Sequence, residues 1–338
     1  MKFSALMLSS HSLEKSVAES DSGQCLLTSV ELESEFLGVD GVLVRVLYSA
    51  LNYKDALAAS GNRGIVRKLP LIPGIDAVGT VLEPNDSGFQ VGDQVLIAHA
   101  KFGTSHHGGF SSLARVPVDW LVKLPVGLSP VDAATWGTAG FTAAQSVRQL
   151  LNHGICPDAG EILVTGATGG VGVFAVQLLA KLGFTVTAST GKLDRHDQLL
   201  ELGAAKVVPR EEVLDLSESP LSRNRWAGVV DCVGGTTLSS AIRATQIGGC
   251  VTACGLVAGH ELDLTVYPFI LRGITLCGID SANVSQKYRQ QLWDLIGSDW
   301  ILDVKSVREE TSLQQLPDQV EQIFQGSVCG RIVVRMPV

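Results

Sequence analysis

No apolar stretch in this 338-residue chain reaches the roughly 20 residues that a helix needs to cross a bilayer, which excludes a helical membrane protein. Long basic runs are absent too. With a net charge of −8, the chain is not expected to hold nucleic acid or an anionic membrane, and a small anionic ligand would have to be met by local cations. The seven cysteines (Cys25, Cys156, Cys232, Cys250, Cys254, Cys277 and Cys329) are odd in number and show no paired short spacing. That excludes a disulfide scaffold and a cysteine-rich zinc lobe, and they read as reduced, buried, cytosolic thiols. A cleavage signal is missing as well. MKFSALMLSS is short and broken by serines, with no small-residue site before Glu14, and reads as a first strand. The chain is therefore expected in the cytoplasm. Internal repeats and low-complexity linkers are also absent.

The composition, 46% hydrophobic and 18% charged, suffices for a full core, and the length suggests two domains. The most informative stretch is Glu161 to Leu182, EILVTGATGGVGVFAVQLLAKL. It reads as a strand (Ile162 to Thr165), a glycine-rich turn and an amphipathic helix, the opening of a dinucleotide-binding βαβ unit. Ala167, Gly169 and Gly172 stand at the three glycine positions of G-x-G-x-x-G, with Gly170 between them. Gly169 lets the backbone approach a pyrophosphate, Gly172 allows helix and strand to pack closely, and the first helical N–H groups face the phosphates. The next strand, Thr185 to Ser189, ends at Thr190, Gly191 and Lys192, with Arg195 nearby. An NAD-specific site places Asp or Glu at that tip. A hydroxyl and two cations suit a 2′-phosphate, so NADPH is favoured over NADH, with Asp194 weighing the other way. Strands at Lys206 to Val208, followed by Arg210, then at Gly228 to Val233 and Cys250 to Ala253, continue an α/β pattern that implies a doubly wound parallel sheet.

Residues 1 to about 130 differ. Short β-type runs such as Val42 to Tyr48, Ala77 to Leu82 and Gln94 to Ala98, separated by Gly, Pro, Asp and Asn, suggest a small, partly open barrel. Between two of them, LNYKDALAASG brings Asn52, Tyr53, Lys54 and Asp55 together beside an apolar helical turn. This is either the rim of a site or, for Asn52 and Asp55, a helix cap. The loop AHAKFGTSHHGGFSS from Ala98 to Ser112 could cover a cleft. His99, His106 and His107, with Asp76, lack any metal-ligand spacing and read as solvated loop histidines, so no metal site is expected. A strand at Ile274 to Gly278 reads as an exposed edge able to pair across a two-fold axis, which suggests a homodimer. Helices around Trp136 to Leu151, Lys287 to Ile296 and Leu313 to Gln325 and a strand from Arg331 to Met336 complete the chain, the last returning to the N-terminal barrel.

Nearly the whole chain resembles the medium-chain dehydrogenase/reductase superfamily, through LNYKDALA at Leu51, PLIPGIDAVGTV at Pro70, GTAGFTAA at Gly137, VTGATGGVG at Val164, WAGVVDCVGG at Trp226, GGCVTACGL at Gly248 and PFILRGITLCGIDS at Pro268. Within it the chain is most similar to the zinc-free quinone-oxidoreductase-like branch and its YhdH/AcuI type of NADPH-dependent acrylyl-CoA reductase. The resemblance implies a GroES-like β-barrel domain (1–130 and 268–338) with an inserted Rossmann domain (131–267). It implies cofactor contacts at Ala56, at Val171, Gly172, Val173 and Phe174, at Thr190, Gly191, Lys192, Leu193, Asp194 and Arg195, and at Arg210, Leu256, Ile270 and Ser281. Lys192 stands where the family has arginine; it attracts a phosphate but lacks the bidentate fork. Zinc-dependent relatives carry a cysteine near Asn52, a His-Glu pair near Ile75 and Asp76, and a four-cysteine lobe. This sequence has none of these.

The implied reaction is metal-free hydride transfer from NADPH to the β-carbon of an α,β-unsaturated CoA thioester such as acryloyl-CoA, with Asn52 and Tyr53 at the reacting end and Asp55 ordering their loop. Lys54, Arg63, Arg67 and Lys68 would attract CoA phosphates or form a solvated basic face. Two readings stand beside it: a quinone or 2-alkenal reductase using the same chemistry, and a non-catalytic NADPH-binding protein.

Overall fold

The computed structural model describes residues 1–10, 25–217 and 219–337; the side chain of Cys25 and the stretch around Glu14 lie outside the described residues. In chain order the strands are β1 (Lys2–Ser10), β2 (Cys25–Glu33), β3 (Val42–Leu51), β4 (Ala77–Glu83), β5 (Gln94–Ile97), β6 (Leu113–Val116), β7 (Leu121–Lys123), β8 (Ile162–Thr165), β9 (Val186–Thr190), β10 (Lys206–Pro209), β11 (Trp226–Asp231), β12 (Thr245–Ala253), β13 (Thr275–Gly278), β14 (Arg308–Ser312) and β15 (Arg331–Arg335). The helices are α1 (Tyr53–Ala59), α2 (Pro130–Asn152), α3 (Gly170–Lys181), α4 (His196–Glu201), α5 (Gly235–Arg243), α6 (Tyr267–Arg272), α7 (Gln286–Ile296) and α8 (Leu316–Phe324).

Two compact units result, Met1–Thr138 with Ala282–Val338, and Ala139–Ser281. In the first, β1 and β2 pair antiparallel, and a second sheet runs β14-β15-β3-β4-β5-β7 with β6 also on β3. β3 organises it. Seven of its ten residues are buried, because β15, β4 and β6 cover its edges and Phe3, Ile72, Phe110 and Trp120 pack in the same core. Burying these apolar side chains contributes about 1.5–3 kcal/mol each. β15 brings Arg331 to the strand end that carries Leu51, where α1 begins.

The second unit holds a six-stranded parallel sheet in the order β10-β9-β8-β11-β12-β13, the order of a doubly wound dinucleotide-binding sheet with its switch point between β8 and β11. Every residue of β8, β9 and β11 is buried, as expected for strands covered on both faces, and α3 buries Val173, Phe174, Val176, Leu178 and Leu179.

The divisions expected near residues 130 and 267 fall instead at Thr138 and Ser281. At the first, α2 continues past Thr138 into the second unit; at the second, β13 extends the parallel sheet, from Cys250 opposite Thr275 to Ala253 opposite Gly278, so the chain returns only after it. The cysteine reading is corrected at Cys156, which is exposed, and at four others that are only half-buried; Cys250 is buried, and none of the six described cysteines forms a disulfide.

Candidate active site

In the first unit Asn52 and Asp55 of LNYKD fold inward and cap the start of α1, as one of the two sequence readings expected, while Tyr53 stays exposed and Lys54 half-buried. The Asn52 main-chain N–H donates to Asp55 Oδ2 at 2.9 Å, closing the first turn of α1. The Asn52 Nδ2 group donates to Asp55 Oδ2 (3.1 Å), Asp76 Oδ2 (2.9 Å) and the Ala50 carbonyl (3.2 Å), while its Oδ1 accepts from Arg331 Nη1 (3.1 Å). Asp76 also accepts from the Thr138 N–H (3.0 and 2.9 Å) and hydroxyl (2.6 Å), and Asp55 Oδ1 from the Ile75 N–H (2.8 Å). Arg331 Nη2 lies 3.6 Å from Asp76 Oδ2, an ion pair, and its Nε and Nη1 donate to the Thr135 and Leu51 carbonyls. Gly137 (φ 47°) completes the cluster, because a Cβ there would stand 2.6 Å from Asp76 and 3.0 Å from Arg331. Only glycine leaves room in that backbone conformation.

All four polar side chains are buried, Asp55 completely. Burial, then the Asp76 charge, pushes the Asp55 carboxyl up to about 7 against the pull of the N–H donors from Asn52 and Ile75. Burial lowers the Arg331 pKa, opposed by Asp76 and Asp55. Asn52, expected at the reacting end, has its amide hydrogen-bonded to Asp55, Asp76, Ala50 and Arg331 at the start of α1. Tyr53, next in sequence, is 40% exposed; its ring meets Phe324 edge-on at 6.1 Å, and its hydroxyl makes no hydrogen bond among the described residues. With Lys54 beside it, Tyr53 is one of the two side chains of this turn left able to donate.

The sequence suggested solvated loop histidines, but His99, His106 and His107 are half-buried against aromatic rings. His99 stacks on Trp120 (4.2 Å between ring centroids), His106 meets the same ring edge-on at 5.0 Å, and His107 packs against Phe36 at 4.8 Å. Desolvation lowers the pKa of His99 and His107. Among the described residues no group of three or more His, Cys, Asp or Glu converges as metal ligands. The donor set beside Asn52 does not suit a cation either, since both Asp76 oxygens already accept hydrogen bonds and the Arg331 guanidinium supplies the positive charge.

In the second unit the expected cofactor residues collect at the ends of β8, β9 and β10. α3 starts at Gly169 with no side-chain cap, so its first N–H groups are left for a ligand. A Cβ on Gly172 would overlap the Gly166 carbonyl and Ala167, so the helix can sit this close only with glycine there. Gly169, Gly170 and Val171 are partly exposed, whereas Val173 and Phe174 face the core. Thr190 is buried at the tip of β9, paired with the Thr168 hydroxyl at 3.1 Å and accepting from the Lys192 N–H at 3.0 Å. A Cβ on Gly191 would overlap the Arg210 guanidinium, so Arg210 lies across the tip; it makes no ion pair among the described residues. Arg195 is instead paired with Asp194 at 3.2 Å, and Leu193 is exposed beside them. Leu256 and Ile270 are exposed and Ser281 is half-buried. Ala56 is different: it belongs to α1 of the first unit and is fully buried, so it offers no surface. Sequence reasoning missed Asp231, which accepts from the Thr165 hydroxyl (2.7 Å) and the Gly234 N–H (2.8 Å) and so ties β8 to β11 at the switch point. Burial pushes its carboxyl up. Its only signal was an Asp at a strand end before glycines.

Residues 38–126 match the model of the alcohol dehydrogenase GroES-like domain and residues 170–298 that of the zinc-binding dehydrogenases. YhfP of Bacillus subtilis, whose name places it among the quinone oxidoreductases, is 47% identical over 90% of this chain and 93% of its own length. The chain belongs to the medium-chain dehydrogenase/reductase superfamily. As a member of that superfamily it is an oxidoreductase, with a GroES-like unit and a Rossmann-type unit. Another relative, the acrylyl-CoA reductase AcuI of Ruegeria pomeroyi, is 41% identical over 94% of this chain and 96% of its own. Among solved structures, the YhdH oxidoreductase of Salmonella enterica in complex with NADP superposes with a TM-score of 0.92 at 40% identity, over 99% of this chain and all of that one. YhfP with NAD bound superposes at 0.94 and 43% identity, over 99% of this chain and all of that one.

Proposed function

We propose that this oxidoreductase reduces the carbon-carbon double bond of a short α,β-unsaturated CoA thioester, acryloyl-CoA to propionyl-CoA, with NADPH. The observation that carries the reading is the first unit's site: a buried Asp-Asn-Arg cluster that fixes the start of α1 and leaves the Tyr53 hydroxyl exposed as a donor. It is supported by the likeness to the acrylyl-CoA reductase over nearly the whole of both chains.

Gly169, Gly170, Val171 and the first turn of α3 would hold the cofactor diphosphate, and Thr190, Gly191, Lys192 and Arg210 would hold its 2′-phosphate. NADPH bound there supplies a hydride. Addition of that hydride at the β-carbon would leave NADP⁺ and negative charge on the thioester oxygen, and a proton from Tyr53, water or a ribose hydroxyl would then complete the α-carbon. The Tyr53 hydroxyl donates to the developing oxyanion, a contribution worth about a hundredfold in rate. Asn52 and Asp55 position Tyr53 without touching substrate, because their polar atoms are consumed within the cluster. The chain is expected to act in the cytoplasm as a homodimer, pairing through β13, the last strand of the parallel sheet.

The likeness to YhfP gives a second reading, quinone reduction by the same chemistry. The two separate in NADPH oxidation by the purified protein with acryloyl-CoA, crotonyl-CoA, acrolein and benzoquinone. A kcat/KM for acryloyl-CoA orders of magnitude above the rest supports the thioester reading; preference for the quinone replaces it with the second, and tight NADPH binding without turnover overturns both.

A further inference from the structure

Three cations from three separate segments of the first unit converge on one cavity of about 280 Å³: Lys54 from the first turn of α1, Arg67 from the segment that follows it, and Lys101 from the glycine-rich loop after β5. The hydroxyl-bearing residues Thr104 and Ser105 share the wall, and no carboxylate does. None of the three cations forms an ion pair among the described residues. In a chain of net charge −8 this is an unbalanced positive pocket, and three like charges facing one volume repel one another until an anion joins them. Sequence alone grouped Lys54, Arg63, Arg67 and Lys68. Folding leaves Arg63 and Lys68 out of the wall and brings in Lys101 with its hydroxyl neighbours.

We propose that this cavity is a phosphate subsite that takes the nucleotide phosphates of the CoA carrier, apart from the place where the acyl group reacts. The assignment rests on the enoyl-CoA reading. Several observations favour phosphate over the reacting group itself. Cations and hydroxyls dominate the wall, whereas a pocket for an acyl chain or quinone is lined mainly by apolar and aromatic side chains. Its volume accommodates phosphate groups but not an entire coenzyme. Lys54 directly follows Tyr53 at the start of α1, so the cluster that positions the donor hydroxyl also positions one wall of the pocket. A long substrate held there by its charged end would be oriented before its short acyl end meets Tyr53, which gives discrimination between acryloyl-CoA and smaller acceptors of similar reactivity.

The test separates the pocket from the reaction. Adenosine 3′,5′-bisphosphate is titrated calorimetrically into protein saturated with NADP⁺, so that the cofactor's own phosphate sites are filled, and inorganic phosphate is titrated in parallel. Binding is expected for the bisphosphate, and its weakening by about a hundredfold in the double variant Arg67→Glu/Lys101→Glu, whose positions are both exposed. In kinetics, the ratio of kcat/KM for acryloyl-CoA to that for acryloyl-N-acetylcysteamine, which lacks the nucleotide, is expected to fall by about tenfold or more in the single variant Lys101→Glu. No bisphosphate binding by the NADP⁺-saturated protein, or an unchanged ratio, overturns the subsite. Inorganic phosphate binding as tightly as the bisphosphate overturns its assignment to CoA. Bisphosphate binding that the double variant loses, in a protein that does not reduce acryloyl-CoA, overturns the enoyl-CoA reading while the pocket stands.

Discussion

The two units handle charge in opposite ways. The first buries it: Asp55, Asp76 and Arg331 lie inside the domain, bound to one another through Asn52. The second buries one carboxylate at its switch point, Asp231, and otherwise meets its expected ligand at the surface with main-chain N–H groups, a glycine turn and the exposed Arg210. A buried network is rigid and costly to disturb, so it suits a site that must aim one hydroxyl. An open array of donors tolerates substitution and suits a ligand that brings its own charge.

This contrast breaks most sharply at Arg331. Replacing it with methionine leaves two carboxylates buried without their cation and is expected to cost about 3–5 kcal/mol, read as a lower midpoint in chemical denaturation. The corresponding change in the second unit, Arg210→Gln, is expected to leave that midpoint nearly unchanged; equal losses would erase the distinction. Next in size is Tyr53→Phe, which removes an exposed hydroxyl. It is expected to lower kcat by about a hundredfold at unchanged stability, and a kcat within a few-fold of the parent would remove Tyr53 from the chemistry. Arg210→Gln is expected to cut the preference for NADPH over NADH by about tenfold in comparative kcat/KM measurements. The last effect is one of pH, read as a slope. Asp55 is raised from 3.8 to about 7 in the folded protein, so its contribution to stability is complete below pH 3.8 and is lost as pH rises through about 7. The slope from this one group is at most about 1.4 kcal/mol per pH unit. Asp55→Asn is expected to flatten that part of the stability profile, and a profile of the same shape would show that Asp55 does not titrate there.

The same difference governs how far each unit could be read from sequence. A dinucleotide-binding turn is local: strand, glycines and helix fall within Glu161 to Leu182, and β8 lies where the pattern puts it. The strand tip was legible for the same reason, down to Thr190 and Lys192. The buried cluster is not local. Asn52, Asp76, Thr138 and Arg331 come from four parts of the chain, and Arg331 reads in sequence only as the first residue of a last strand. Nothing in LNYKD shows that Asn52 turns inward while Tyr53 turns outward; that follows from Asp76 and Arg331 waiting inside. The histidines misled because their partners, Trp120 and Phe36, lie outside their loop. The domain limits misled because β13 continues the parallel sheet before the chain returns.

In the proposed reaction Tyr53, held by a guanidinium-centred cluster, stabilises the oxyanion without a metal. Acryloyl-CoA reduction by protein dialysed against a strong chelator, with its metal content determined on the same sample, tests it most directly. Full activity at negligible metal, unchanged by added zinc, is the predicted result. Activity that falls with the metal and returns in proportion to added zinc would contradict it.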